Sequence, residues 1–242
     1  MAQSTHDKRS LSEAFQAADA LDAPLDQRMK SYAHYSRQRF PDLEAAYDRL
    51  VQRIASIGAD GRTPSIGDEF PEFLLVDMDG RFVDLRSRLA SGPRVVSFNR
   101  GSWCGYCGLQ LRALARAYPD ILTHGAQVVS IVPDTARYAK SLAQTRQLPF
   151  VVLTDLDLGY ALSLGLVFWV GDDIKDMYQA FGVDLTRFQH NDGWFLPVPA
   201  TFVLGPDGRV KARFVDPDFR RRKSIEDIMC TLTIKRSQTR PF

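Results

Sequence analysis

A chain of 242 residues, 45% hydrophobic and 25% charged, is long enough to bury its own core and is composed like an ordinary water-soluble globular protein. Its 31 basic and 29 acidic residues leave a formal charge of +2, too small a field to draw in nucleic acid or an anionic membrane. The opening MAQSTHDKRSLSEAF has no apolar stretch of signal-peptide type, and no window approaches the roughly 18–20 apolar residues of a membrane span. The expectation is a cytoplasmic protein with no nucleic acid and no membrane among its partners.

The predicted elements begin with two stretches of helical spacing, Leu11, Phe15, Ala18, Leu21 and then Leu43, Tyr47, Leu50, Val51, Ile54, punctuated by Pro41-Asp42. They predict an N-terminal helical hairpin packed on the main body, with a partner-binding arm as the alternative. The turn formers of GADGRTPSIGDEFP mark a boundary, dividing the chain into a helical extension, 1–62, and a main domain, 63–242. FLLVDMDGRFVDL predicts a hairpin around Asp79-Gly80. RVVSFN reads as a buried strand, and Cys104 to about Leu122 as a helix with Leu111, Leu114, Ala115, Tyr118 and Leu122 on one face. AQVVSIVP, TARYAKSLAQTRQL and FVVLTD then read as strand, helix and strand, and ATFVLGPDGRVKARFV as a late hairpin turning at Pro206-Asp207-Gly208. Strands alternating with helices and closed by a hairpin make an α/β fold with a mixed sheet. The basic run RRRK, 220–223, reads as a solvated face. Cys230 in SIEDIMCTLTI reads as a small buried hydrophobe beside Ile225, Ile228 and Met229, with a distant resolving cysteine as the alternative.

Two of the three cysteines stand in RGSWCGYCGLQLRAL, where a buried strand passes into a helix. The first cysteine of such a pair meets free N–H groups and the positive end of the helix dipole, which favour a thiolate, and the second lies within one turn, in reach of a disulfide. Redox exchange competes here with zinc binding and with two plain core cysteines. A zinc site wants two more ligands at matching spacing, and Cys230, His6, His34, His124 and His190 are scattered; no metal and no cofactor is expected. Arg100 is a cation near the pair, able to stabilise a thiolate or an anionic oxygen, or else to pair with a surface carboxylate.

FNRGSWCGYC, GDEFPEFLLVDMDGRFVDL and VPATFVLGPDGRV together resemble the thioredoxin-fold redoxins of the alkyl hydroperoxide reductase and thiol-specific antioxidant family, in particular its peroxiredoxin-like branch. The likeness runs from about Ile66 to the C-terminal helix. It implies a thioredoxin fold, a mixed central sheet flanked by helices, here with an N-terminal helical extension. It also implies a cis peptide before Pro199 in VPATF, facing the cysteine pair; an ordinary edge proline is the other reading. Two departures stand out. Family members carry PxxxTxxC before the peroxidatic cysteine; with that cysteine at Cys107, Arg100 falls at the proline and Cys104 at the threonine. The family's arginine near the position of Pro199 is absent as well, so peroxide reduction is expected to be slow.

The resulting expectation is a thiol-dependent oxidoreductase cycling Cys104 and Cys107 between dithiol and disulfide, on a disulfide or a peroxide. Cys104, the more exposed by position, attacks a disulfide; for a peroxide, Cys107 attacks and Cys104 resolves. Arg100, Trp103, Tyr106, Trp194, Val198 and Pro199 are the substrate-binding candidates. Trp194 is singled out among the aromatics of the insertion Val167–Pro197, most of which suit packing. The implied partner is a thiol reductant such as thioredoxin or glutathione, and a homodimer is left open. A non-catalytic redox sensor or binding module, and a dithiol enzyme for a small biosynthetic substrate, remain alternatives.

Overall fold

Two turns set the edges of the central sheet. In the computed structural model, which describes residues 2–58 and 63–234, β1 (Leu74–Asp77) folds back on β2 (Phe82–Asp84) through Gly80 at φ +83. Asp77 Oδ1 secures that turn by accepting from the Asp79 and Arg81 amides at 2.8 and 2.9 Å. At the opposite edge β8 (Ala200–Leu204) turns through Gly208, φ +72, into β9 (Val210–Val215). Between the edges lie β3 (Arg94–Phe98), β4 (Gln127–Val132) and β5 (Val151–Thr154), mutually parallel and built of β-branched runs, as strands covered on both faces require. The sheet order is β2-β1-β5-β4-β3-β8-β9. Helices α5 (Gly105–Thr123), α6 (Ala136–Thr145) and α10 (Ile225–Ile234) pack against it, and the short α4 (Leu85–Leu89) and α7 (Gly159–Ser163) lie in connections. This mixed sheet flanked by helices is the architecture the resemblance implied.

The N-terminal region holds α1 (Ala2–Ala20), α2 (Leu25–Arg39) and α3 (Pro41–Ser56), one helix more than the predicted hairpin. The extra helix is α2, whose buried stripe is only Leu25, Met29, Tyr32 and Ser36, too narrow and too polar to register as apolar periodicity. The predicted boundary falls on residues 59–62, outside the described ones. The N-terminal helices share one apolar cluster with the sheet, in which Phe15, Met29 and Tyr47 join Phe98 and Phe202. α5 is therefore apolar on two faces, Leu109 toward that cluster and Leu111, Leu114 and Ile121 toward α6 and α10, while Leu122 is exposed rather than buried. The insertion folds as β6 (Val167–Trp169), α8 (Asp172–Ala180), α9 (Leu185–Gln189) and β7 (Phe195–Pro197), with β6 and β7 paired antiparallel.

Two expectations fail. Cys230 is exposed, because Ile228 and Leu232 form the buried face of α10 and a residue midway between them projects to the other side. The peptide before Pro199 is trans, as no cis peptide occurs among the described residues. Pro197 pairs with Val167 in β7, the Val198 amide donates to Leu166 O at 2.5 Å, and Ala200 enters β8 directly, so this passage from one sheet to the other proceeds through the isomer that X–Pro bonds ordinarily prefer.

Candidate active site

The loop after β3 is held from several sides. Asn99 sends its amide to Ile131 O and its side-chain Nδ2 to Ser97 and to Ser130 Oγ at 3.1 Å, which fixes where the chain leaves the sheet. Gly101 then adopts φ +137, and a Cβ there would lie 2.7 Å from both Asp134 Oδ1 and Trp103 Nε1. The buried Asp134 accepts from the Ser102 amide at 2.6 Å through Oδ2, and its Oδ1 has no partner. Burial raises this carboxyl to about 7, outweighing the Ser102 hydrogen bonds, and the charge of Cys107 adds to the rise.

Cys104 is the N-cap residue of α5, its sulfur accepting from the Cys107 amide at 3.4 Å. Cys107 stands in the first turn, and its sulfur accepts from the Arg100 amide at 3.4 Å, from Arg222 Nη2 at 3.4 Å and from the Cys104 thiol. Both sulfurs are buried, so the expected greater exposure of Cys104 does not separate them. Their donors do. Burial pushes the Cys107 thiol up, yet the Cys104 hydrogen bond, the Arg222 and Arg100 cations and the Arg100 amide together bring it down to about 5. Burial pushes Cys104 upward, and donation to Cys107 with the charge there adds to it. One negative charge shared by this pair therefore rests on Cys107.

Arg100 is fully buried and, among the described residues, has no carboxylate partner: its guanidinium lies 3.8 Å from the Phe219 ring centroid and 5.0 Å from that of Trp103, and donates to the Tyr178 hydroxyl. Arg222 donates through Nη1 to the Phe219 and Arg221 carbonyls, so the segment after β9 carries both the ring beneath Arg100 and the cation at Cys107. The N-terminal helices roof the pair. A Cβ at Gly105 would lie 2.5 Å from the Tyr32 hydroxyl and one at Gly108 2.9 Å from the Phe15 ring; these glycines, three apart on α5, allow α2 and α1 to settle on the cysteine turn. What remains open is a cavity of about 80 Å³ walled by Tyr32, Tyr47, Trp103 and Tyr178, with Cys104 and Arg100 at its lining.

Among the sequence-predicted residues, Arg100, Trp103 and Tyr106 gather here, Tyr106 buried edge-on between Tyr32 at 4.9 Å and Phe219 at 5.8 Å. Trp194, Val198 and Pro199 are buried elsewhere and line no part of this cavity; Trp194 stands under Lys175, 5.3 Å above its ring. Sequence reasoning missed Arg222, Phe219, Asp134 and Tyr32. The run 220–223 is not simply a solvated face: Arg220 is bound to Glu44, Asp48 and Asp218, and Arg222 to Cys107, while Arg221 alone is widely exposed. The available signal was a basic run just ahead of a helix in a chain that otherwise spreads its charge. Among the described residues no group of three or more His, Cys, Asp or Glu is placed to hold a metal, and no helix is long and apolar enough to cross a membrane.

Comparison with known proteins adds a family match and a set of relatives. Residues 66–213 match the AhpC/TSA family. Peroxiredoxin Q from the chloroplast of Triticum aestivum is 34% identical over 104 residues, covering 43% of this chain and 48% of that protein. The thiol-disulfide oxidoreductase ResA of Bacillus thuringiensis is 24% identical over 145 residues, 60% of this chain and 66% of that protein. The match thus spans about half to two thirds of these relatives' lengths. Among solved structures, peroxidoxin BcpB of Mycobacterium tuberculosis superposes with a TM-score of 0.55 at 20% identity, over 71% of this chain and 97% of that one, a likeness of fold.

Proposed function

The chain belongs to the AhpC/TSA family, and from that premise we propose that it is a thiol-dependent oxidoreductase in which Cys107 attacks a peroxide and Cys104 resolves the product. The observation that carries this reading is the set of donors converging on Cys107 Sγ: the Arg100 amide, Arg222 and the Cys104 thiol. The thiolate attacks the terminal oxygen of a hydroperoxide; the S–O bond forms as the O–O bond breaks, leaving Cys107 as a sulfenic acid and the second oxygen to depart as alcohol or water after taking a proton. The Cys104 thiol then attacks the sulfenic sulfur, closing a disulfide and releasing water. Two electrons from a thiol reductant restore the pair by exchange.

The groups missing from the family pattern have substitutes of like chemistry. Cys104, at the threonine position, donates to Cys107, and Arg222 brings a cation from a distant segment. A cavity of about 80 Å³ has room for a few water-sized molecules or a hydroperoxyl group, and none for a polypeptide disulfide. A second reading rests on the fact that Cys104, not Cys107, lines that cavity: a small disulfide entering there meets Cys104 first. Single serine variants separate the two. With hydrogen peroxide, Cys104→Ser is expected to accumulate a sulfenic acid on Cys107 trapped by dimedone, and Cys107→Ser to form none. Adduct on Cys104 in Cys107→Ser, with an inert Cys104→Ser, overturns the assignment of the peroxide attack to Cys107, whereas a mixed disulfide trapped on Cys104 of Cys107→Ser by a small disulfide favours the second reading.

A further inference from the structure

A second, larger cavity of about 470 Å³ lies between α2 and the segment that follows β9. The described residues that line it fall outside 66–213, the part matched to the family model. One wall is apolar, made of Leu25, Met29, Ala33 and Phe214, and Arg222 closes the side toward the cysteines. The other charges around it are matched: Lys30 binds Asp26 at 2.8 Å, Arg221 binds Asp216 at 2.9 Å, Arg220 holds Asp218 at 2.8 Å, and Arg37 stands 3.9 and 3.8 Å from Glu44 and Asp48. Arg222 differs. Among the described residues it contacts two backbone carbonyls and the Cys107 sulfur but no carboxylate, and its buried Nε has no partner.

We propose that this cavity is a binding site for a small organic anion, its hydrocarbon body against Leu25, Met29, Ala33 and Phe214 and its carboxylate or sulfonate on Arg222. The volume lies within the roughly 300–1,000 Å³ of small-molecule sites, and an apolar wall beside a cation that no carboxylate among the described residues neutralises selects an amphipathic monoanion over a neutral or polyanionic ligand. Because the same guanidinium touches Cys107, the site is coupled to the dithiol. An anion on Arg222 competes with the thiolate for it, so occupancy raises the pH at which Cys107 ionises, and by reciprocity the anion binds the protonated thiol form more tightly than the thiolate form. The groups facing that sulfur are Arg100, Arg222 and Cys104, with the charge of Asp134 acting on it from β4's end.

The probe is hexanesulfonate, ionised at every pH of interest, added to full-length protein carrying Cys230→Ser so that only the buried pair titrates. Calorimetry is expected to find one site, and thiolate absorbance at 240 nm to show the lower midpoint rising by about one pH unit on saturation, which corresponds to roughly tenfold tighter binding to the protonated thiol form than to the thiolate form. Ala33→Trp fills the cavity and is expected to abolish binding while leaving the unliganded midpoint in place; Arg222→Met is expected to abolish binding as well. No binding, binding that persists in Ala33→Trp, or binding with an unmoved midpoint overturns the proposal. None of these readouts needs an oxidant, so inertness to peroxide would count against the proposed function alone.

Discussion

Cys104 and Cys107 sit three residues apart in the same helix turn, and the proton preference between them is decided by how many donors each sulfur receives. Cys104 accepts one backbone N–H; Cys107 accepts a backbone N–H, a guanidinium N–H and a thiol S–H. An opposite charge within about 4–6 Å lowers an acid's pKa by roughly 1–3 units. Arg222→Met, which keeps the length of the side chain and removes its charge, is therefore expected to raise the Cys107 midpoint in a 240 nm titration by at least one pH unit with little loss of melting temperature. An unchanged midpoint would mean that Arg100 and the helix turn suffice. The dithiol was legible in the sequence because everything that marks it is local: a buried strand, a short loop, two cysteines one turn apart. Arg222 was not, since it reaches Cys107 from 115 positions away and no spacing rule joins them.

At the scale of elements, α3 braces the segment that carries Phe219 and Arg222. Glu44, almost wholly buried, accepts from Ser36 Oγ at 2.6 Å and from Arg220 Nη1 at 3.1 Å, tying α2, α3 and the post-β9 segment at one carboxylate. Tyr47, one turn on, meets Phe219 edge-on at 4.8 Å. Glu44→Gln keeps the shape and removes the charge; Arg220 retains Asp48 and Asp218, so the expected cost is about 1–3 kcal/mol in chemical denaturation rather than the larger loss of an orphaned ion. If the brace matters for the site, the Cys107 midpoint rises in the same variant. A loss of stability with the midpoint unmoved would reduce α3 to scaffolding. The elements legible in advance were those with their own turn chemistry or long periodicity, such as the hairpins at Gly80 and Gly208 and the strand–helix units. α2 escaped because its buried stripe includes Ser36, polar by residue type and buried only because Glu44 accepts its hydroxyl. Pro199 misled for a related reason: a proline at a strand entrance fits both isomers, and the geometry of the whole passage from β7 to β8 decides between them.

For the molecule as a whole, two buried acids with opposite shifts shape stability against pH. Cys107 is held near 5 in the fold against about 8.5 unfolded, so between those values the unfolded chain binds the extra proton and stability rises with pH. Asp134 is held near 7 against about 3.9 unfolded, so between those values the native state binds the extra proton and stability falls as pH rises. Each slope is about 1.4 kcal/mol per pH unit for a full proton. From about pH 5 to 7 the two oppose each other and the reduced protein's contribution from this pair is nearly level; from about 7 to 8.5 only the Cys107 rise remains. Asp134→Asn, whose side-chain oxygen still accepts from Ser102, is expected to show the rise from about pH 5 onward and to gain most over wild type above pH 7. Cys107→Ser is expected to show only the fall below pH 7 and no rise above it. Urea unfolding of the three reduced proteins from pH 4 to 9 reads these differences directly, because every other titrating group is common to all. A stability difference between Asp134→Asn and wild type that stays constant across that range would place the Asp134 ionisation at its ordinary value, and the buried carboxyl beside the cysteine loop would be no part of the site's electrostatics.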